Sequence, residues 1–120
     1  MKVDLNQLAR LCHGTNSLHW KTDAAGNPLK PHTNTMTTYI ASELMMARHG
    51  REYPEEMNRQ LPHRSEESVR LANCLIRIFD YCGGLGIDID AAFREKLEFN
   101  KTLTEPELIS CTCSLKEPAE

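Results

Sequence analysis

The sequence predicts an all-α protein of four helices. Apolar residues recur at three- and four-residue spacing in four separate segments, and glycine and proline punctuate those segments. No stretch alternates apolar and polar residues as a half-buried strand would. In the first segment Val3, Leu5, Leu8, Leu11 and Cys12 mark a short helix that Gly14 and Asn16 weaken. Residues 22–33, with Gly26-Asn27-Pro28 and Pro31, read as a loop. A second helix starts at Asn34 or Thr35 and stops at Gly50. Pro54 and Pro62 bracket a polar connection to the third helix, for which Ser65 is the N-cap. That helix is expected to end near Cys82, before Gly83-Gly84. Asp88 or Asp90 caps a fourth helix that runs to about Phe99, with Ala92, Phe93 and Leu97 on its apolar side. Residues 1–102 form the helical domain, and 103–120 read as a loose tail.

The third helix carries the strongest pattern. Val69, Leu71, Ala72, Leu75, Ile76, Ile78, Phe79 and Cys82 make it apolar around most of its circumference. Glu66, Arg70, Asn73, Arg77 and Asp80 follow at steps of four, three, four and three, which is one polar stripe. Such a helix belongs at the centre of a bundle, with its stripe toward solvent or toward a polar cavity. A solvated stripe would carry an Arg77–Asp80 pair at i,i+3. On the second helix Met36, Tyr39, Glu43 and Met46 share a stripe, so Glu43 sits among apolar and aromatic neighbours and needs a partner.

Bulk properties narrow the function. A chain of 120 residues makes one domain, and the all-round apolar third helix implies a homo-oligomer built on the second and third helices. A net charge of −3 argues against a general nucleic-acid binder. No apolar run is long enough to span a membrane, and the N-terminus lacks the apolar core of a signal peptide, so a cytoplasmic location is expected. Five cysteines at irregular spacing do not describe a disulfide framework. Cys74 and Cys82 read as buried thiols, and Cys111 and Cys113 form a lone C-x-C without further zinc ligands nearby.

Several short strings follow one another along the chain: Cys12-His13, Trp20, Gly26-Asn27-Pro28, Ser42-Glu43-Leu44, Leu61-Pro62-His63-Arg64 and Ile76-Arg77-Ile78-Phe79-Asp80. With them, residues 8–102 resemble the short phage-type members of the MazG-like, all-α nucleoside triphosphate pyrophosphohydrolases. The resemblance implies a four-helix bundle that forms dimers or tetramers. It also implies hydrolysis of a nucleoside triphosphate to the monophosphate and pyrophosphate, on Mg²⁺ held by four carboxylates. At the four matching positions this chain has Glu43, Met46, Arg70 and Asn73. Glu43 is the retained, vestigial catalytic carboxylate, and Glu43 and Asn73 are the only oxygen donors left for a metal. Glu66, Glu67 and His49 lie close enough in sequence to stand in for lost ligands. For the nucleotide, the resemblance points to Trp20 stacking on the base and to Lys96 and Asn100 on the phosphates. The resemblance also implies that Arg70, Asn73 and Arg77 border the same site, and that Arg70 is the candidate partner for Glu43 if the helices pack as in that family. The family's Thr-Arg after this pattern is Thr102-Leu103 here.

Three readings follow. The first is a nucleotide-binding protein that sequesters a nucleotide or nucleotide-derived signal with little or no hydrolysis and no required cofactor. The second is a working Mg²⁺-dependent pyrophosphohydrolase with rearranged ligands. The third is a non-catalytic structural or interaction protein.

Overall fold

The computed structural model describes residues 2–15, 24–27 and 33–106. Trp20, Cys111, Cys113 and the tail from 107 lie outside the described residues, as do the expectations attached to them. The described residues are all-helical: α1 (Leu5–Thr15), α2 (Thr33–Glu52), α3 (Glu66–Leu85) and α4 (Ile89–Asn100). No strand occurs among them; the one β-bridge joins Met57 to Ser65. None of these helices is long and apolar enough to cross a membrane. The chain divides into two compact units, Met1–Asp88 and Ile89–Glu120.

In the first unit α3 is central, packed by both α1 and α2. Gly50 of α2 meets Glu67, and the thiol of Cys74 points to the Ile40 carbonyl at 3.8 Å, so α2 and α3 run antiparallel. On the other flank Ala9 meets Gly83, and the Asn6 amide donates to Asp88 Oδ1 at 2.8 Å, so α1 is also antiparallel to α3. Ser65 caps α3 as its sequence position implies, accepting from the Ser68 N–H at 3.2 Å. Glu66 and Glu67 complement the positive end of the helix dipole.

Two helix ends differ from the expectation, for one physical reason. Gly50 and Gly83 look like stops, yet α2 continues to Glu52 and α3 to Leu85. Each glycine is where two helices touch backbone to backbone. A Cβ on Gly50 would lie 2.7 Å from the Glu67 nitrogen, and one on Gly83 would lie 2.5 Å from the Ala9 carbonyl oxygen. The true end of α3 is Gly86, whose φ of 68° is the left-handed conformation that glycine adopts freely.

The inward face of α2 also differs. Met36, Glu43, Ala47 and Gly50 are its buried residues, whereas Tyr39 and Met46 are exposed. Steps of seven, four and three keep a stripe on the contact line; the stripe through Tyr39 and Met46 drifts off it. On α3, Val69, Cys74 and Cys82 are buried, but Leu71 and Leu75 are not, so the helix is covered on fewer sides than its composition implies. The second unit contains α4, on which Ile89, Ala92, Phe93, Lys96, Leu97 and Asn100 line one groove.

Candidate functional site

Two residues of the α3 stripe converge on one acid of α2. Glu43 is only 5% exposed, and its two oxygens are taken by two guanidinium groups. Arg70 Nη1 donates to Oε2 at 3.3 Å and Arg77 Nε donates to Oε1 at 3.2 Å. Helical geometry explains the pairing, since residues seven apart on α3 present both arginines to the same flank of α2. Arg77 therefore reaches across to Glu43 instead of forming the i,i+3 pair with Asp80. Its guanidinium also lies over the Tyr39 ring, 5.1 Å from the centroid.

Arg70 is held from a second side. Its Nε donates to Glu66 Oε1 at 2.6 Å, one turn earlier on α3. Burial draws the Glu66 pKa upward, but hydrogen bonds from Arg70 and Asn58 and the charges of Arg70 and Arg59 outweigh it, leaving the carboxyl below its ordinary value. Burial likewise disfavours the Arg70 cation, and the two carboxylates overcome this and hold it above its ordinary value.

The connection between α2 and α3 is part of the same assembly. Asn58 is buried, and its Oδ1 accepts from the backbone N–H groups of Gln60 and Leu61, each at 3.0 Å. Its Nδ2 donates to Glu66 Oε1 at 3.2 Å. The turn so formed sets Gln60 at the mouth of a cleft of about 300 Å³ lined by Glu43, Gln60, Arg70, Asn73, Ile76, Arg77 and Asp80. Sequence reading missed Gln60 and Asn58. The signal was an Asn shortly before a Leu-Pro turn, whose side chain mimics a backbone turn.

Asp80 closes the floor of the cleft. It is 1% exposed, and its Oδ1 lies 2.9 Å from His13 Nδ1 on α1. This link joins the Cys12-His13 and Ile76 to Asp80 strings, which are far apart in the chain. The thiols of Cys12, Cys74 and Cys82 are all raised by burial, with Asp80 adding to the shift at Cys12 and Glu43 at Cys74, so none is an activated nucleophile.

Mg²⁺ requires several oxygen donors with free lone pairs directed at one point. The carboxylate that would begin such a site has a guanidinium nitrogen against each oxygen. Met46 lies in the separate groove along α2 with Thr38, Ala41, Ser42, Met45 and His49. The acids and imidazole near the lost positions are engaged elsewhere: Glu66 with Arg70, Glu67 with Arg51 and His49 with Glu56. Among the described residues no three His, Cys, Asp or Glu side chains converge as a metal cluster. The donor set does not fit Mg²⁺.

Glu43, Arg70, Asn73 and Arg77 thus meet in one cleft. Lys96 and Asn100 share one face of α4 in the second unit, where Lys96 Nζ lies 4.9 Å from the Phe99 ring centroid. No protein-family model, no curated protein and no solved structure matches the chain. The MazG-like resemblance therefore rests on the motifs themselves.

Proposed function

We propose that the cleft between α2 and α3 binds a nucleotide or nucleotide-derived small molecule without a metal ion and without turning it over. The observation that supports this reading is the placement of Arg70 and Arg77 on either oxygen of Glu43. Arg70 stands where the resembled family has an acidic ligand for Mg²⁺, Arg77 lies further along the same stripe, and guanidinium forks suit phosphate oxygens. Glu43 in this reading is a structural anchor for the two arginines. A second copy of the chain is proposed to cover the apolar residues left uncovered on α2 and α3, among them Leu44, Met45, Leu71 and Leu75.

The test is calorimetry with common nucleotides in EDTA and in Mg²⁺, beside an assay for released pyrophosphate. Binding is expected to be independent of metal and weaker at high salt. Arg77→Ala is expected to weaken it about ten- to a hundredfold, the range for one charge-assisted hydrogen bond. Affinity that vanishes in EDTA, or ordinary enzyme turnover lost in Glu43→Ala, would refute this reading.

A further inference from the structure

We propose that the cleft is built for a ligand with one phosphate group and a neutral, hydrogen-bonding body, the chemistry of a nucleoside monophosphate, and that it rejects the di- and triphosphates. This rests on the nucleotide reading above and narrows it.

Charge is the first ground. The lining carries two cations, Arg70 and Arg77, both on Glu43, and a second carboxylate, Asp80, that lies against His13. Glu66, bonded to Arg70, adds a third carboxylate at the edge. With Arg59, whose charge also acts on Glu66, three arginines face three carboxylates, so the neighbourhood has no surplus arginine to neutralise further phosphoryl groups.

Local geometry still favours one phosphate. Arg77 is fixed through Nε on Glu43 and by its stacking over Tyr39. Its Nη1 and Nη2 groups make no hydrogen bond with any described residue, and neither does Nη2 of Arg70, which uses Nε and Nη1. These N–H groups can donate to a single phosphate, a monoester carrying about −1.5 to −2 charge.

The remaining polar lining is neutral. The side-chain amides of Gln60 and Asn73 face the cleft and make no hydrogen bond with described residues. Each offers both a donor and an acceptor, the pattern that reads a base edge or a sugar hydroxyl. Asn58 ties the two halves together, since it fixes the Gln60 backbone and also donates to the carboxylate that holds Arg70. The cleft volume of about 300 Å³ is at the lower bound for small-molecule sites.

Titrations of the intact protein in EDTA, followed by amide chemical shifts, read weak as well as tight binding. The probes are the mono-, di- and triphosphates of the four common deoxynucleosides, and inorganic phosphate. For at least one base the monophosphate is expected to bind at least tenfold more tightly than its triphosphate. Gln60→Leu, an exposed position, is expected to lose about tenfold for that monophosphate and nothing for inorganic phosphate. Glu66→Gln is expected to narrow the gap between monophosphate and triphosphate several-fold. A triphosphate that binds as tightly as the monophosphate overturns the single-phosphate proposal and leaves the nucleotide reading standing. Equal losses for nucleotide and inorganic phosphate in a natively folded Gln60→Leu overturn the role given to the amide. Binding of none of the nucleotides overturns the broader reading itself.

Discussion

At Glu43, burial and pairing pull in opposite directions. A carboxylate taken out of water is costly, and two guanidinium groups offset that cost through direct hydrogen bonds. Glu66 extends the same network to the loop; burial pulls its pKa up, but hydrogen bonds from Arg70 and Asn58 hold it below the ordinary value. Because the folded value lies below the unfolded one of about 4.3, its contribution is fully present above that value. It is lost as pH falls through the folded value. The wild type is therefore expected to lose stability on acidification below about pH 5 more steeply than Glu66→Gln. Urea midpoints across that range check this; parallel acid limbs would count against it. The Glu43–Arg70 pair was anticipated in two steps: helix periodicity put Glu43 among apolar neighbours and in need of a partner, and packing as in the resembled family made Arg70 the candidate. The Arg77 contact was not, since i,i+3 spacing to Asp80 offered a local partner that the fold gives to His13. Gln60 was not legible either, because a side chain in a turn carries no periodicity to read.

At the scale of elements, the four helices and the Ser65 cap were readable from spacing and local chemistry, while the two glycine positions were misread. Glycine costs a helix interior up to about 1 kcal/mol relative to alanine, so sequence logic treats it as an end. At Gly50 and Gly83 that cost is outweighed by the approach of a neighbouring backbone, information that exists only once helices are packed. Gly50→Ala and Gly83→Ala are therefore expected to destabilise the fold by about 1–3 kcal/mol, although each improves helix propensity. Gly14, where an added Cβ would meet nothing within 4 Å, is the contrast: alanine there is expected to be neutral or mildly stabilising. Thermal melts of the three variants separate the two outcomes, and equal gains at all three would contradict the close-contact explanation.

For the whole molecule, the apolar surface is the open question that composition raised. Leu75 is 54% exposed and Met45 63%, more than a small all-helical unit usually leaves to water. If a second copy covers them, light scattering at about 100 μM gives twice the chain mass, a concentration at which a standard interface persists. Leu71→Glu with Leu75→Glu is expected to return the monomer, whereas a strict monomer in the wild type would remove the proposed interface. The backbone contact at Gly83 carries one more consequence, in the order of assembly. Contacts between α2 and α3 close short stretches of chain, 27 residues from Glu43 to Arg70, whereas His13 and Asp80 are 67 apart. Closing the longer loop costs more entropy before any contact repays it, so the α2–α3 hairpin is expected to form before α1 docks. Gly83→Ala, whose Cβ would meet Ala9 and His13 of α1, is expected to weaken only the second event. Its lost stability is therefore expected as faster unfolding, with the refolding rate nearly unchanged.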